Sequence, residues 1–243
     1  MKVCIVIFAL LMLPQETFKQ KQLKFIRVKD AYSEKENTVK NYFLHKNLNY
    51  QGFHMFLRGF KRERIVEVWV KENGASRYSL LTQFDFCSMS GNLGPKRKEG
   101  DRQIPEGIYY INHFNPQSNF HLSLGLNYPN ESDKVLSDRR IPGSTIYIHG
   151  NCVTIGCIPV SDDKIKELYI LALESANNGQ PKIPVHIFPT RLSRESLKDL
   201  ENENREDISL IGFWKNLESV FTDFEISKTV REVKINDQGE YYF

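Results

Sequence analysis

The sequence predicts a mostly β, α+β domain with helices near both termini. Three observations support this fold class: short apolar or alternating runs fill the middle of the chain, turn residues separate them, and a clear helical pattern appears only later. A chain of 243 residues is long enough for one hydrophobic core with appendages. Its formal net charge of +3 is too small to indicate a nucleic-acid partner.

The first predicted strands form a hairpin. Residues 65–70 are rich in β-branched side chains, Asn73 and Gly74 give a turn signal, and a second apolar run covers 78–86. An Asn-Gly pair between two such runs is typical of a tight β-turn. Further strands are predicted at 108–111, 121–126 and 145–148.

A helix is predicted after these strands. Its apolar residues fall on one face, Ser161 or Asp162 caps its start, and Gly179 follows its end. A strand at 185–188 comes next. The remaining segment contains an aromatic stripe at helical spacing over residues 213–221, which predicts a helix that docks on the main domain, and then a terminal hairpin over residues 229–243.

The N-terminus resembles a secretory signal. Lys2 precedes an apolar run from Val3 to Leu13, and a membrane span would need about 20 such residues. A buried N-terminal strand and an uncleaved anchor are the alternatives. The predicted organisation is therefore a signal peptide at 1–14, a partly helical arm at 15–60, a catalytic domain at 61–190 and a helix-plus-hairpin extension at 191–243.

The stretch from His149 to Cys157 contains a base, a thiol and glycines within nine residues. A nearby imidazole can take the proton of a thiol and produce the reactive thiolate, and the pKa of histidine suits that task. Residues 144–148 alternate as a half-buried strand does, which places His149 at a strand end. The pattern predicts Cys157 as a nucleophile and His149 as its general base.

Three other interpretations of Cys157 remain open on the residues alone. If the signal is removed, Cys87, Cys152 and Cys157 remain, and an odd count in an exported protein predicts at least one free thiol. Cys157 could instead be a buried inert thiol, form a disulfide with Cys152, or bind zinc together with Cys152 and His149. Zinc fits worst, because the spacing matches no usual C-x-x-C pair.

Several blocks in the same order make the chain resemble the L,D-transpeptidase (YkuD-type) catalytic domain family, and within it the YafK branch. These blocks are Ser90–Lys96, Glu99–Gly107, Asn127–Asn130, Asp133–Lys134 and His149–Cys157. The resemblance covers about residues 65–190. It implies a curved β-sheet or sandwich that carries the active site.

The resemblance also implies roles for residues of the last block. Cys157 would attack a carbonyl of meso-diaminopimelate, and His149 would take its proton. A backbone carbonyl near Gly150 would orient the imidazole, while the amides of Gly156 and Cys157 would hold the oxyanion, with Thr154 positioned beside them. No metal or cofactor is expected. The predicted substrate contacts outside the block are Tyr128, Asn130, Lys134 and Arg102.

Two departures from the general family pattern favour hydrolysis over cross-linking. Ile155 stands where a second histidine is usual, and Pro159 stands where an arginine is usual. Loss of a cation weakens the binding of a substrate carboxylate. The YafK branch, which resembles this chain in both departures, is associated with detaching the C-terminal lysine of a lipoprotein from diaminopimelate.

The sequence-based hypothesis is therefore an exported, periplasmic or cell-wall-associated cysteine hydrolase. Its partners would be peptidoglycan with meso-diaminopimelate and a wall-linked lipoprotein, without nucleic acid. The alternatives are an L,D-transpeptidase that uses the same thiolate and a non-catalytic peptidoglycan-binding module.

Overall fold

A computed structural model describes residues 15–243, so the predicted signal at 1–14 lies outside the described residues. The helices are α1 (Phe18–Gln22), α2 (Ile26–His45), α3 (Glu131–Leu136), α4 (Ser161–Asn177), α5 (Arg194–Glu203) and α6 (Ile208–Ser227). The strands are β1 (Phe53–Phe60), β2 (Ile65–Glu72), β3 (Ser79–Asp85), β4 (Gly107–Asn115), β5 (Ser123–Leu126), β6 (Tyr147–His149), β7 (Ile158–Pro159), β8 (Ile183–Phe188), β9 (Lys234–Ile235) and β10 (Tyr241–Tyr242). None of these helices is long and apolar enough to cross a membrane.

One curled, mixed sheet of eight strands forms the centre of the molecule, which confirms the predicted fold class. Its strand order is β3-β2-β1-β8-β4-β5-β6-β7. The predicted hairpin is present as the antiparallel pair β2 and β3, while β1 with β8 and β6 with β7 are the parallel pairs. The pair of β6 and β7 lies at one edge of the sheet and contains the candidate site.

The predicted N-terminal arm at 15–60 must be corrected, because its last residues form strand β1 of the sheet. Residues 53–60 are an inner strand, hydrogen-bonded to β2 on one side and β8 on the other. Met55 and Leu57 pack into one core cluster, whereas Phe56 and Phe60 pack on the opposite face of the sheet. A strand buried on both faces lacks polar-apolar alternation, which is why periodicity did not reveal it.

Helices cover both faces of the sheet. Helix α4 packs against β1 and against α2, and its middle residues from Leu168 to Leu173 are fully buried. On the other face α6 buries Trp214, Leu217 and Phe221 together with Phe60 of β1. The aromatic stripe of the C-terminal extension therefore docks on the sheet.

The C-terminal extension is fixed to the catalytic domain by a buried polar cluster. The indole N–H of Trp214 donates to Glu106 Oε2 at 2.7 Å, and Lys61 Nζ lies 2.9 Å from Glu106 Oε1. Burial of these charges requires partners on every side, and the backbone N–H of Gly94 also donates to Glu106 at 2.7 Å. The predicted terminal hairpin is present as β9 and β10.

Candidate active site

His149 ends β6 and is 2% exposed. Its Nδ1 is hydrogen-bonded to the backbone carbonyl of Gly150. A carbonyl can only accept, so Nδ1 carries the proton and donates it, which leaves Nε2 as the basic nitrogen. The imidazole is thus held in one tautomer by the residue that follows it.

Two further groups surround this imidazole. The ring of Phe120 stacks on His149 with centroids 4.6 Å apart and an interplanar angle of 30°. Asp162, at the start of α4, accepts the backbone N–H of Asn151 at 2.7 Å, and so ties down the segment after His149. Burial lowers the pKa of His149, whereas the hydrogen bond with Gly150 and the negative charge of Asp162 raise it.

Cys157 lies beside His149 through the pairing of two short strands. Strand β7 runs parallel to β6 with Pro159 opposite His149, and two residues earlier the same register sets Cys157 opposite Tyr147. A backbone hydrogen bond with Tyr147 acts on the Cys157 thiol, in agreement with that placement. Alternate residues of a strand share a face, so Cys157 and His149 face the same side of the sheet.

The Cys157 thiol is free and partly exposed. Burial raises its pKa, whereas the Tyr147 backbone and the positive charge of Lys96 lower it. Lys96 is 5% exposed and its ammonium donates to Asp101 Oδ1 at 2.6 Å. The raised pKa favours the protonated form of the thiol.

A tight turn precedes the thiol. The Thr154 hydroxyl donates to the carbonyl of Cys157 at 2.7 Å and accepts the N–H of Gly156 at 3.1 Å. This corrects the expected oxyanion pair, because the Gly156 amide is already engaged within the turn. Gly156 has a φ of +139°, and a Cβ there would lie 3.0 Å from the carbonyl oxygen of Gln103. Thr154 and Gly156 therefore shape the loop, and of the two expected oxyanion donors only the amide of Cys157 stays a candidate.

A disulfide joins this loop to the end of β3. It links Cys87 to Cys152, with Cα atoms 5.3 Å apart, so the alternative Cys152–Cys157 bond is wrong. The zinc alternative finds no support in residues 15–243, where no cluster of three or more His, Cys, Asp or Glu side chains could hold a metal ion. Cys157 is the free cysteine among residues 15–243, in agreement with the expected free thiol.

Comparison with known proteins assigns the family. The profile of the YkuD L,D-transpeptidase catalytic domain matches residues 60–187, which is more than half of the chain and includes both His149 and Cys157. The chain belongs to the YkuD L,D-transpeptidase family. It is thus an L,D-transpeptidase-family cell-wall enzyme domain.

One curated relative agrees with this YkuD assignment. YafK of Escherichia coli (strain K12), which is named as an L,D-transpeptidase, is 30% identical over 186 residues, covering 76% of this chain and 72% of YafK. Among solved structures, the helical cell shape determining protein Pgp2 of Campylobacter jejuni is similar with a TM-score of 0.46 and 16% identity over 82% of this chain and 80% of Pgp2. Bd1075 of Bdellovibrio bacteriovorus is similar with a TM-score of 0.40 and 21% identity over 76% and 75% of the two chains.

Two of the predicted substrate contacts in this YkuD domain are corrected by the structure. Asn130 is 5% exposed and caps α3, and its amide donates to the carbonyl of Ile108 at 2.8 Å and the hydroxyl of Tyr241 at 3.0 Å. Tyr128 is 6% exposed and donates to the carbonyl of Pro142 at 2.7 Å. Because their polar atoms are already bonded inside the protein, both residues shape the fold.

The other two predicted contacts lie at the surface. Lys134 pairs with Glu131 at 2.6 Å on the exposed side of α3. Arg102 is exposed and directly precedes Gln103, whose carbonyl faces Gly156. Of the four predicted contacts, Arg102 is the one whose neighbour in the chain lies against the thiol loop, which we define as residues 150–157.

The sequence analysis missed four residues of the site. Phe120 and Cys87 reach it from distant parts of the chain, and no local pattern marks either one. Asp162 was predicted as a helix cap but holds the thiol loop, while α4 begins at Ser161. Lys96 belongs to a run of three basic residues, 96–98, and its burial next to Asp101 could not be inferred from charge alone.

Proposed function

We propose that this protein is an exported cysteine hydrolase that cleaves the amide bond between peptidoglycan meso-diaminopimelate and the C-terminal lysine of a lipoprotein. The observation that carries the proposal is the free Cys157 on the same sheet face as His149, within a YkuD catalytic domain. The similarity to YafK over most of the chain supports the choice of substrate. Periplasmic export and a lipoprotein partner are parts of the same proposal.

The chemistry needs only groups that the site contains. His149 Nε2 takes the thiol proton while Cys157 Sγ forms a bond to the amide carbon, and the amide of Cys157 donates to the developing oxyanion. The carbon–nitrogen bond then breaks, and the leaving lysine amine takes the proton from His149. In the second half His149 takes a proton from water, the hydroxide attacks the thioester, and a carboxylate and the free thiol result.

The lack of a cationic residue shortly after Cys157 in the chain favours water over a second stem peptide as the acceptor of the acyl group. Pro159 occupies the position where the general family pattern has an arginine, and it is buried opposite His149 in β7. Lys96, the cation whose charge acts on Cys157, is already paired with Asp101 at 2.6 Å. A second stem peptide would bring a carboxylate that finds no unpaired partner among these groups.

The decisive experiment uses two defined muropeptides and the purified protein with its thiol reduced. One substrate carries a lysine-containing peptide on diaminopimelate, and the other is a tetrapeptide stem offered alone and with an acceptor stem. We expect release of the lysine peptide and of the free muropeptide. Mass spectrometry detects both products. Cys157→Ala is the matched control, because it removes the nucleophile and leaves the remaining site in place.

Each outcome separates the candidate functions. Cross-linked dimers from the tetrapeptide stem, without release of the lysine peptide, would identify a transpeptidase with the same Cys157 and His149. Binding of muropeptides without turnover, equal in wild type and Cys157→Ala, would identify a non-catalytic wall-binding module. Release by Cys157→Ala at the wild-type rate would reject the thiol mechanism.

A further inference from the structure

A loop from the middle of the chain covers the imidazole of His149. Within it, Phe120 stacks on the ring, and the N–H of Gly150 donates to the carbonyl of Leu122 at 3.2 Å. A Cβ on Gly150 would lie 2.9 Å from the Phe120 carbonyl oxygen, so loop and site are in close contact. The loop thus contacts both the imidazole and the residue whose carbonyl orients it.

The loop does not hold this shape without help. His121 has a φ of +68°, in the left-handed region that is unfavourable for a residue with a side chain. Within the loop, the Ser118 hydroxyl accepts the N–H of Phe120 at 3.0 Å. The further support comes from Arg27, whose Nη1 donates to the carbonyl of Ser118 at 2.5 Å and to that of His121 at 2.7 Å.

Arg27 lies outside the segment that matches the family. It is in the first turn of α2, whereas the YkuD profile begins at residue 60. Helix α2 is firmly attached to α4: Val28 and Ala31 are fully buried, and the hydroxyl of Tyr32 donates to Glu174 at 2.7 Å. The guanidinium is therefore presented to the loop by a 20-residue helix that packs along the catalytic domain.

We infer that Arg27 is a positioning residue of the active site: it clamps the carbonyls on either side of Phe120 and so keeps that ring stacked on His149. The N-terminal arm then belongs to the catalytic unit, since it sets the orientation and the solvent exposure of the base. The assignment rests on the proposed role of His149 as base, but the contact itself exists whatever reaction the site performs.

The clamp has a consequence for the titration of His149. Burial is the largest cause that lowers the pKa of His149, and Phe120 supplies part of that burial. Loss of Arg27 frees the loop, exposes the imidazole and raises its pKa toward the ordinary value. Because the base must be neutral to accept a proton, the acid limb of the activity profile moves to higher pH.

The test compares Arg27→Ala, Arg27→Lys and Phe120→Ala with Lys29→Ala in the full protein. Lys29 is an exposed residue two positions along the same helix and serves as the matched control. We expect Arg27→Ala and Phe120→Ala to lower kcat about tenfold with little change in KM, because a displaced base slows the chemical step more than it weakens binding. Arg27→Lys restores part of the rate, since an ammonium can reach one carbonyl.

The second readout needs no substrate. Proton NMR titration of the His149 ring should show an increased pKa in Arg27→Ala and Phe120→Ala, and an unchanged one in Lys29→Ala. Circular dichroism establishes that each variant is folded, and Phe120→Ala breaks the stack without touching α2. An unchanged His149 titration in Arg27→Ala overturns the clamp, whatever the activity and whatever Phe120→Ala shows. A shifted titration in both variants without any turnover by the wild type retains the clamp and rejects the proposed hydrolase.

Discussion

The two halves of the candidate active site are held in different ways. His149 ends a strand, is almost fully buried, and is fixed by the Gly150 carbonyl and the Phe120 ring. Cys157 follows an irregular loop in which Ile155 is 76% exposed, and the loop is held by one disulfide, one turn and the hydrogen bond from Asn151 to Asp162. The base is oriented by packing that belongs to the fold, whereas the nucleophile is oriented by local links.

This difference predicts that the two sides respond differently to substitution. Changes near His149 remove packing and should lower both activity and stability. Changes in the loop before Cys157 that leave its disulfide intact remove few buried contacts and should lower activity more than stability. Four experiments examine this contrast.

Replacement of each reacting residue should have the largest effect. Both His149→Ala and Cys157→Ala are expected to lower turnover at least about 10³-fold, because each removes one half of the nucleophile–base pair. Only His149→Ala should also lower the free energy of unfolding, by about 2 kcal/mol, since it leaves a cavity beneath Phe120. Product release and thermal unfolding measure the two quantities; equal loss of stability in both variants would contradict the contrast.

Gly156→Ala should follow, with turnover lowered about 10²-fold through displacement of the thiol. An alanine there combines a φ of +139° with a Cβ 3.0 Å from the Gln103 carbonyl, so the loop must shift. Gly179→Ala is the matched control, because Gly179 also has a positive φ but would meet no atom within 4 Å. Similar losses of turnover in the two variants would show that backbone strain alone, and not the position of the thiol, is responsible.

Removal of the Cys87–Cys152 bond should lower turnover about tenfold, since the loop then loses its covalent link to β3. The double variant Cys87→Ser/Cys152→Ser is preferable to reductant, because it leaves Cys157 unaffected. Its free energy of unfolding should also fall, by about 4 kcal/mol, because the bond restricts the unfolded chain over a 65-residue separation and not because buried contacts are lost. Higher activity after this change, as a Cys152–Cys157 bond would have produced on reduction, would contradict the structure.

Lys96→Met should have the smallest effect. Its positive charge lowers the pKa of Cys157, so its removal shifts the pH dependence of thiol alkylation upward and slows alkylation at neutral pH about threefold. Lys98→Met removes the same charge from an exposed neighbouring position and should leave the profile unchanged. An alkylation rate that is already at its plateau near pH 6 in the wild type would contradict the raised pKa of the thiol.

Much of the fold could be predicted from local patterns. Alternation and turn residues identified β2, β3 and β4, and helical spacing identified α4 and the aromatic stripe of α6. Two of the elements that were not predicted escaped for opposite reasons. Strand β1 is buried on both faces and has no alternation, while α5 is so polar that only Leu197 and Leu200 reach the core.

The site was predictable only in part, for a related reason. The base and thiol lie eight residues apart, so their spacing was visible in the sequence. Asn130 was misjudged, because a helix-capping amide and a substrate-binding amide have the same residue type and differ only in their partners. The sequence could not distinguish the two.

The sequence by itself determined the α+β class, the family and the short segment with His149 and Cys157, because each depends on residues close together in the chain. Only the tertiary structure decided which cysteine pairs with Cys152, what covers the imidazole, and how Arg27 reaches the site. Those contacts join segments that lie 29 to 94 residues apart. Contacts between residues far apart in the chain leave no periodic signal in the sequence, because packing alone brings such residues together.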